Sequence, residues 1–385
     1  MKYLRRRGTI GCLSSRYSAK EEEFMTKGLA ISAGFFVATM SSFASAATLR
    51  VPQTYPSIQS AVDAARPNDM VLVAPGTYFE NVHVSKPLKL VSTQGAARTI
   101  VDANHYRSAL TIRGNNVPSE FVTVRGFTFT HGEFTMPPTP EFPDPTGTGI
   151  DAAGMNVVID HNIIEDNLSC EAGMLVTAKK SFVTDNVVRN NSGNWMCAFR
   201  GAGMSVGGSF DFDEEAVIER NDVYGNAGVG INSGALHKLT MRFNHSHHNG
   251  GTGAFGPGIA IDTVSGEISN NVIDHNTSSR GSAMSLIMAT DDPIPNGLSM
   301  LVTNNLMLNN VSTLLNDGEP NDGSVVIIDS YTSRGIKFIG NTVITPTPAP
   351  LIYCIREREN AYPVLIGNIL SNNAGAVFSE DCHRP

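Results

Sequence analysis

Asparagine recurs along this chain with a fixed internal spacing and a variable external one. Pairs five residues apart occur at Asn162 and Asn167, Asn186 and Asn191, Asn221 and Asn226, Asn244 and Asn249, Asn271 and Asn276, Asn305 and Asn310, and Asn368 and Asn373, with a truncated copy beginning at Asn341. Successive copies start 24, 35, 23, 27, 34, 36 and 27 residues apart. A shortest unit near 23 residues with variable additions means strands of constant length joined by loops of variable length. Inward-facing apolar residues alternate at period two, as at Leu239 and Met241 or Ile336 and Phe338, so the elements are short strands and not helices.

Units of this size cannot bury a core alone. Stacked coil on coil they form a single parallel β-helix, an all-β solenoid in which equivalent side chains line up along the axis. Asn162, Asn186, Asn221, Asn244, Asn271, Asn305, Asn341 and Asn368 are expected to form one internal amide ladder with a structural role. Composition agrees: 36 Gly and 20 Pro with only 17% charged residues describe a folded, turn-rich chain and exclude wholesale disorder.

The first 46 residues read as targeting sequence. Met25-Thr26-Lys27 leads into the small and apolar run from Gly28 to Met40, and Ala44-Ser45-Ala46 has the small-x-small pattern of a signal-peptidase site. The run is shorter than the roughly 20 apolar residues a bilayer span needs, so a secreted or periplasmic protein is expected, with no membrane span. The chain then divides into an extension (1–24), a signal peptide (25–46), a cap with the first coils (47–104) and the repeats (105–385). The net charge of −8 becomes −12 without residues 1–46, which hold seven of the 28 Lys and Arg and three of the 36 Asp and Glu. That balance excludes a broad basic surface for nucleic acid. Four cysteines remain, and coil adjacency favours Cys170 with Cys197 and Cys354 with Cys382.

At the amino-terminal end a helix starts at Ser57, with Ile58, Ala61, Val62 and Ala65 on one face. That face covers the open end of the solenoid and protects its strand edges. The helix, followed by Val71-Leu72-Val73-Ala74-Pro75-Gly76-Thr77-Tyr78 and Glu80-Asn81-Val82, resembles the opening of pectate-lyase-like right-handed parallel β-helix proteins. The later asparagine repeats resemble their coils, so the resemblance spans roughly residues 48–380. It implies a right-handed helix and a substrate groove along the first parallel sheet.

The strands of that sheet are expected to start at Leu110, Ile150, Met174, Met204, Ile231, Ile259, Met284 and Val326, each after a glycine-rich turn. The residues that follow by one and by three face outward and are mostly small and neutral. Against that background Asp151, Arg200, Asp262 and Arg280 are the candidate catalytic residues. The carboxylates supply acid–base groups and the arginines pair with a uronate polymer. Asn232, His237 and the lone tryptophan, Trp195, are the candidate substrate-binding residues. Asp262 and Asp329 lie two coils apart, a separation near that of an inverting glycosidase pair. A stiff proline-rich insertion, Thr130 to Thr148, is expected to overhang the groove.

The motifs of polygalacturonases, pectin methylesterases and alginate epimerases are absent, and Ile159-Asp160-His161-Asn162 matches only part of a pectate-lyase segment. Asp211, Asp213 and Glu214 offer hard oxygen ligands, which makes calcium the one cofactor suggested. His245, His247 and His248 surround an inward Ser246 and are expected to fall around a turn, open to adventitious metal. The reading is of an exported β-helix protein that binds, and as a lyase or hydrolase cleaves, an extracellular polysaccharide or cell-surface glycan. The alternative is a non-catalytic adhesin or envelope scaffold. A third reading, a periplasmic partner for metal delivery, rests on the histidines.

Overall fold

Successive coils of the chain pair strand on strand, all in parallel, to build three walls around an apolar interior. The architecture comes from a computed structural model. It describes residues 45–114, 119–133, 147–193, 202–208, 214–250, 257–287, 299–312, 324–329, 335–345, 350–355, 363–372, 377–379 and 382.

Wall A holds the strands Leu110–Arg113, Ile150–Ala153, Ala172–Thr177 and Ala202–Gly207, then the first halves of Ile231–Arg242 and Ile259–Ser269, then Met284–Ile287, Val326–Asp329 and Ile352–Ile355. Its register is continuous: Leu110, Ile150, Met174, Met204, Ile231, Ile259, Met284, Val326 and Ile352 stand side by side. Wall B runs from Thr48–Val51 and Met70–Val73 through Lys89–Ser92 and Phe121–Arg125 to Val364–Ile366. Strands Ile231–Arg242 and Ile259–Ser269 pass unbroken from wall A to wall B, with a bulge between Gly234 and Leu236 where the chain turns the corner. Wall C is an 11-stranded sheet running from Gly76–Phe79 to Ile369–Ser371.

Alternation drives burial. Leu239, Met241, Ile336 and Phe338 are at most 1% exposed, and burying side chains of this size contributes roughly 1.5–3 kcal/mol each.

Not one but two asparagine ladders run through the interior. In the first, the backbone N–H and the side-chain Nδ2 of each asparagine both donate to Oδ1 of the next, from Asn162 to Asn368. In the second, Asn167, Asn191, Asn226, Asn249, Asn276 and Asn310 do the same. That row closes where Asn310 N–H donates to Thr345 Oγ1, at the truncated copy. The spare Nδ2 hydrogen goes to a carbonyl of the preceding coil, as from Asn221 to Val183, so these buried amides are fully used.

The residue ahead of each first-row asparagine is left-handed, whether Gly340 (φ 64°) or the exposed Phe243 (φ 59°). A left-handed phenylalanine is costly by itself, and the adjoining ladder bonds offset the cost. The glycines before wall A belong to the same arrangement. A Cβ on Gly173 would lie 2.3 Å from the Asn191 amide carbon, and one on Gly230 the same distance from Ser246 Oγ.

The cap helix spans Ile58–Ala64 and starts at Ser57, whose side chain and that of Ser60 cap each other's backbone. Glu80 accepts from the N–H groups of Ile58 and Gln59, which ties the helix to the first coil. Ile58, Ala61 and Val62 face the core. The stretch after the helix forms two strands, Met70–Val73 and Gly76–Phe79, because the chain turns a corner at Ala74-Pro75. No helix among the described residues is long and apolar enough to cross a membrane.

Candidate functional site

Strand alternation brings the predicted groove residues to the outer face of wall A. One outward column reads Thr111, Asp151, Leu175, Ser205, Asn232, Ala260, Ser285 and Ile327; two residues on, the other reads Arg113, Ala153, Thr177, Gly207, Gly234, Asp262, Ile287 and Asp329.

Asp151 is not an open carboxylate. Arg113 grips it with both ends of its guanidinium, at 2.9 Å (Nη1 to Oδ1) and 2.7 Å (Nη2 to Oδ2), and the Asp151 side chain is 3% exposed. Asn232 donates from Nδ2 to Ser205 Oγ on the preceding coil. Asp262 and Asp329 share a column with Ile287 between them, and both are half-buried. Arg280 is 8% exposed, in a turn where Ser278 Oγ accepts from its backbone N–H and donates to its carbonyl. His237 lies half-buried at the corner of the long strand, its carbonyl accepting from Ser265 Oγ.

Arg200, Trp195, Asp211 and Asp213 lie outside the described residues, as does most of the proline-rich insertion. Glu214 is described and buried, and its carbonyl accepts from Lys238 N–H. Asp160, in the partial pectate-lyase match, receives hydrogen bonds from Arg125 and His161 on the outer edge of wall B. The Cys354–Cys382 disulfide is formed. Cys170 is also disulfide-bonded, and its expected partner Cys197 lies outside the described residues.

The histidine cluster differs from expectation. His245 and His247 lie not around a turn but on a wall C strand, His245–His247, both facing outward with Ser246 inside. His248 takes the left-handed corner position after that strand. Asp222 sits beside His245 on one neighbouring coil, and Asp274 beside His247 on the other. The rings of His245 and His247 stack with centroids 4.0 Å apart, and Tyr224 stacks on the far face of His247. Burial, then the charge of His245, lowers the His247 pKa despite Asp222. Burial pushes the Asp274 carboxyl up, but the hydrogen bonds and charges of His275 and His245 together hold it below its ordinary value. The available signal was the outward His-Ser-His pair, together with the alignment of Asp222 and Asp274 to it once the coils are superposed.

Stacked parallel coils, paired asparagine ladders and a polar outer wall define a solenoid that carries side chains in long external columns. The chain belongs to the right-handed β-helix family: residues 108–343 match the family model described as the right handed beta helix region. Over 96 residues, 23% of this chain, it is 36% identical to a cell surface glycoprotein of Methanothermus fervidus, and it spans 16% of that protein's length. An alginate lyase from Paenibacillus sp. str. FPU-7 has a similar structure at 17% identity and a TM-score of 0.50, covering 87% of this chain and 98% of the lyase. The A-module of a mannuronan C-5 epimerase from Azotobacter vinelandii aligns at 15% identity and a TM-score of 0.45, over 83% of this chain and 94% of the module.

Proposed function

We propose that this is an exported protein that binds an extracellular acidic polysaccharide along the outer face of wall A. The observation that carries the reading is the pair of outward columns, where hydroxyl, amide and carboxylate groups recur coil by coil. Strands there are roughly 4.8 Å apart, so a polymer lying along the axis meets a repeating set of hydrogen-bonding groups. The alginate lyase resembles this chain over nearly its whole length, which supports a polysaccharide as the ligand class. The apolar run before Ala44-Ser45-Ala46 and the Cys354–Cys382 disulfide support export.

In this reading Asn232 binds sugar hydroxyls and Asp262 is the acid–base group of any cleavage. Arg200 and Arg280 supply cations toward uronate carboxylates, which an acidic protein needs to hold a polyanion. The test is a binding and cleavage screen of uronate and neutral polysaccharides. Arg200→Ala and Arg280→Ala are expected to weaken binding to the acidic polymers, with the difference shrinking as salt rises. Asp262→Asn is expected to lower the release of unsaturated products or reducing ends. A wild-type protein that binds and cleaves none of the panel overturns the reading.

A second reading, a non-catalytic adhesin or envelope scaffold, is favoured by the match to a cell surface glycoprotein. Retention of the protein on washed cells without glycan cleavage is its signature.

A further inference from the structure

On the outer face of wall C, Asp222 Oδ1 lies 3.1 Å from His247 Nε2 and 3.6 Å from His245 Nδ1. Metal bonds of roughly 2.0–2.2 Å at near-tetrahedral angles hold donor atoms roughly 3.3–3.5 Å apart. The two separations bracket that value, and the three donor atoms all lie within 4.8 Å of one another.

The other nitrogen of each ring is engaged in the way a ligand requires. His245 Nε2 is 2.6 Å from Asp274 Oδ1, so the carboxylate takes its N–H and leaves the Nδ1 lone pair facing Asp222. His247 Nε2 donates its proton to the Asp222 carboxylate at 3.1 Å; an ion bound there displaces that proton, and Nδ1, 2.9 Å from His248 Nδ1, is placed to carry the ring proton instead. A ligating histidine commonly has its second nitrogen oriented by a carboxylate or similar acceptor. Asp274 is itself steadied by His275, whose Nδ1 is 2.6 Å from Oδ2 and whose ring stacks on His248.

We propose that Asp222, His245 and His247 form a binding site for a divalent transition-metal ion of the zinc type. Asp274 and His248 act as positioning residues. Three protein ligands leave a coordination position for water or another ligand. The ligands come from two adjacent coils, so the ion ties two turns of the solenoid from outside, and the hydrogen bond from His245 to Asp274 links the third. Imidazole and carboxylate together suit zinc, nickel or copper better than calcium.

A second histidine pair shows what the arrangement adds. His105 and His131 stack 4.7 Å apart, but each takes its own carboxylate, Glu133 and Asp102 respectively, and they form no such three-atom group among the described residues.

The test is titration of the intact, chelator-treated protein with zinc chloride by calorimetry, with thermal melts run alongside. One ion per chain is expected at this site, with a melting temperature that rises with zinc and falls back with chelator. His247→Ala and His245→Ala should each lower affinity on the order of 100-fold, and Asp274→Asn roughly 10–100-fold although it is no ligand. His105→Ala should leave affinity unchanged. X-ray absorption of the zinc-loaded protein should show two imidazoles in the coordination shell. Absence of zinc binding by the wild type overturns the proposal, and binding equally strong in a folded His247→Ala protein would mean an adventitious ion only and overturn it too.

Discussion

Asn221 Oδ1 accepts two hydrogen bonds from one residue, Asn186, through its backbone N–H at 3.1 Å and its side-chain Nδ2 at 3.0 Å. The Nδ2 of Asn221 in turn serves Val183 O and Asn244 Oδ1. Asn221→Leu therefore takes the acceptor from two Asn186 donors and the donor from the Val183 carbonyl in a dry interior, while Asn244 Oδ1 keeps only the bond from the backbone N–H of residue 221. The expected loss is about 3 kcal/mol or more, against about 1 kcal/mol for Asn368→Leu at the less enclosed end of the row. Chemical denaturation of both variants checks the difference, and equal losses would contradict the ladder account.

The Arg113–Asp151 pair yields a prediction about a residue otherwise attractive as a catalyst. Asp151→Ala leaves a guanidinium without its carboxylate at a site where the aspartate is 3% exposed. Stability should fall by about 3 kcal/mol, and replacing both residues by apolar ones should restore much of it. A variant that melts like the wild type but has lost glycan turnover would instead assign Asp151 to chemistry.

At the amino-terminal end Asp69 accepts from the backbone N–H groups of Ala47 and Arg66, and these two bonds lower its pKa. A depressed folded-state pKa stabilises the fold above the ordinary aspartate value of about 3.9 and is lost as pH falls below that value through the folded one. The first coil should loosen in that acid window before the central coils do. Hydrogen exchange of residues 47–73, followed from about pH 5 down to about pH 2.5, reads it directly. Asp69→Asn should remove the pH dependence while weakening the segment at neutral pH.

Cys354 and Cys382 join the final wall A strand to the segment that packs beyond it, with Cα atoms 5.3 Å apart. Non-reducing peptide mapping should recover this pair. Reduction should cost up to about 3–4 kcal/mol on a chain-entropy account, and the loss of protection should be confined to the last coils. Loss of the whole fold on reduction would mean that the solenoid depends on its end more than its local contacts indicate.

Wall A was legible because its strands follow small turn residues and open on a large apolar one, as in Gly149-Ile150 and Gly230-Ile231, so superposing the coils gives the register at once. The first asparagine row was legible for the same reason. The second row was visible as spacing, but its ladder role was not, because a residue just past a strand reads equally well as a turn. The histidine site was harder still. Its neighbours Asp222 and Asp274 lie 23 residues before His245 and 27 after His247, and the contact exists only after the chain has wound once in each direction. For the wall A carboxylates, periodicity indicates which way a side chain leaves the backbone. It does not indicate that Arg113 will reach across to Asp151.

Every interior asparagine of the two rows presents the same pair of donors to one neighbour and the same acceptor to the other. The stretch from Asn221 through Phe243 is therefore a self-contained module of 23 residues, and Asn244 opens the next module on identical bonds. Cutting such a module out, or copying it in, leaves each row able to close on the coil that follows. A solenoid built this way can lengthen by duplication without redesigning its interior, and the outward columns are then free to diverge, coil by coil, into different chemistry on different walls.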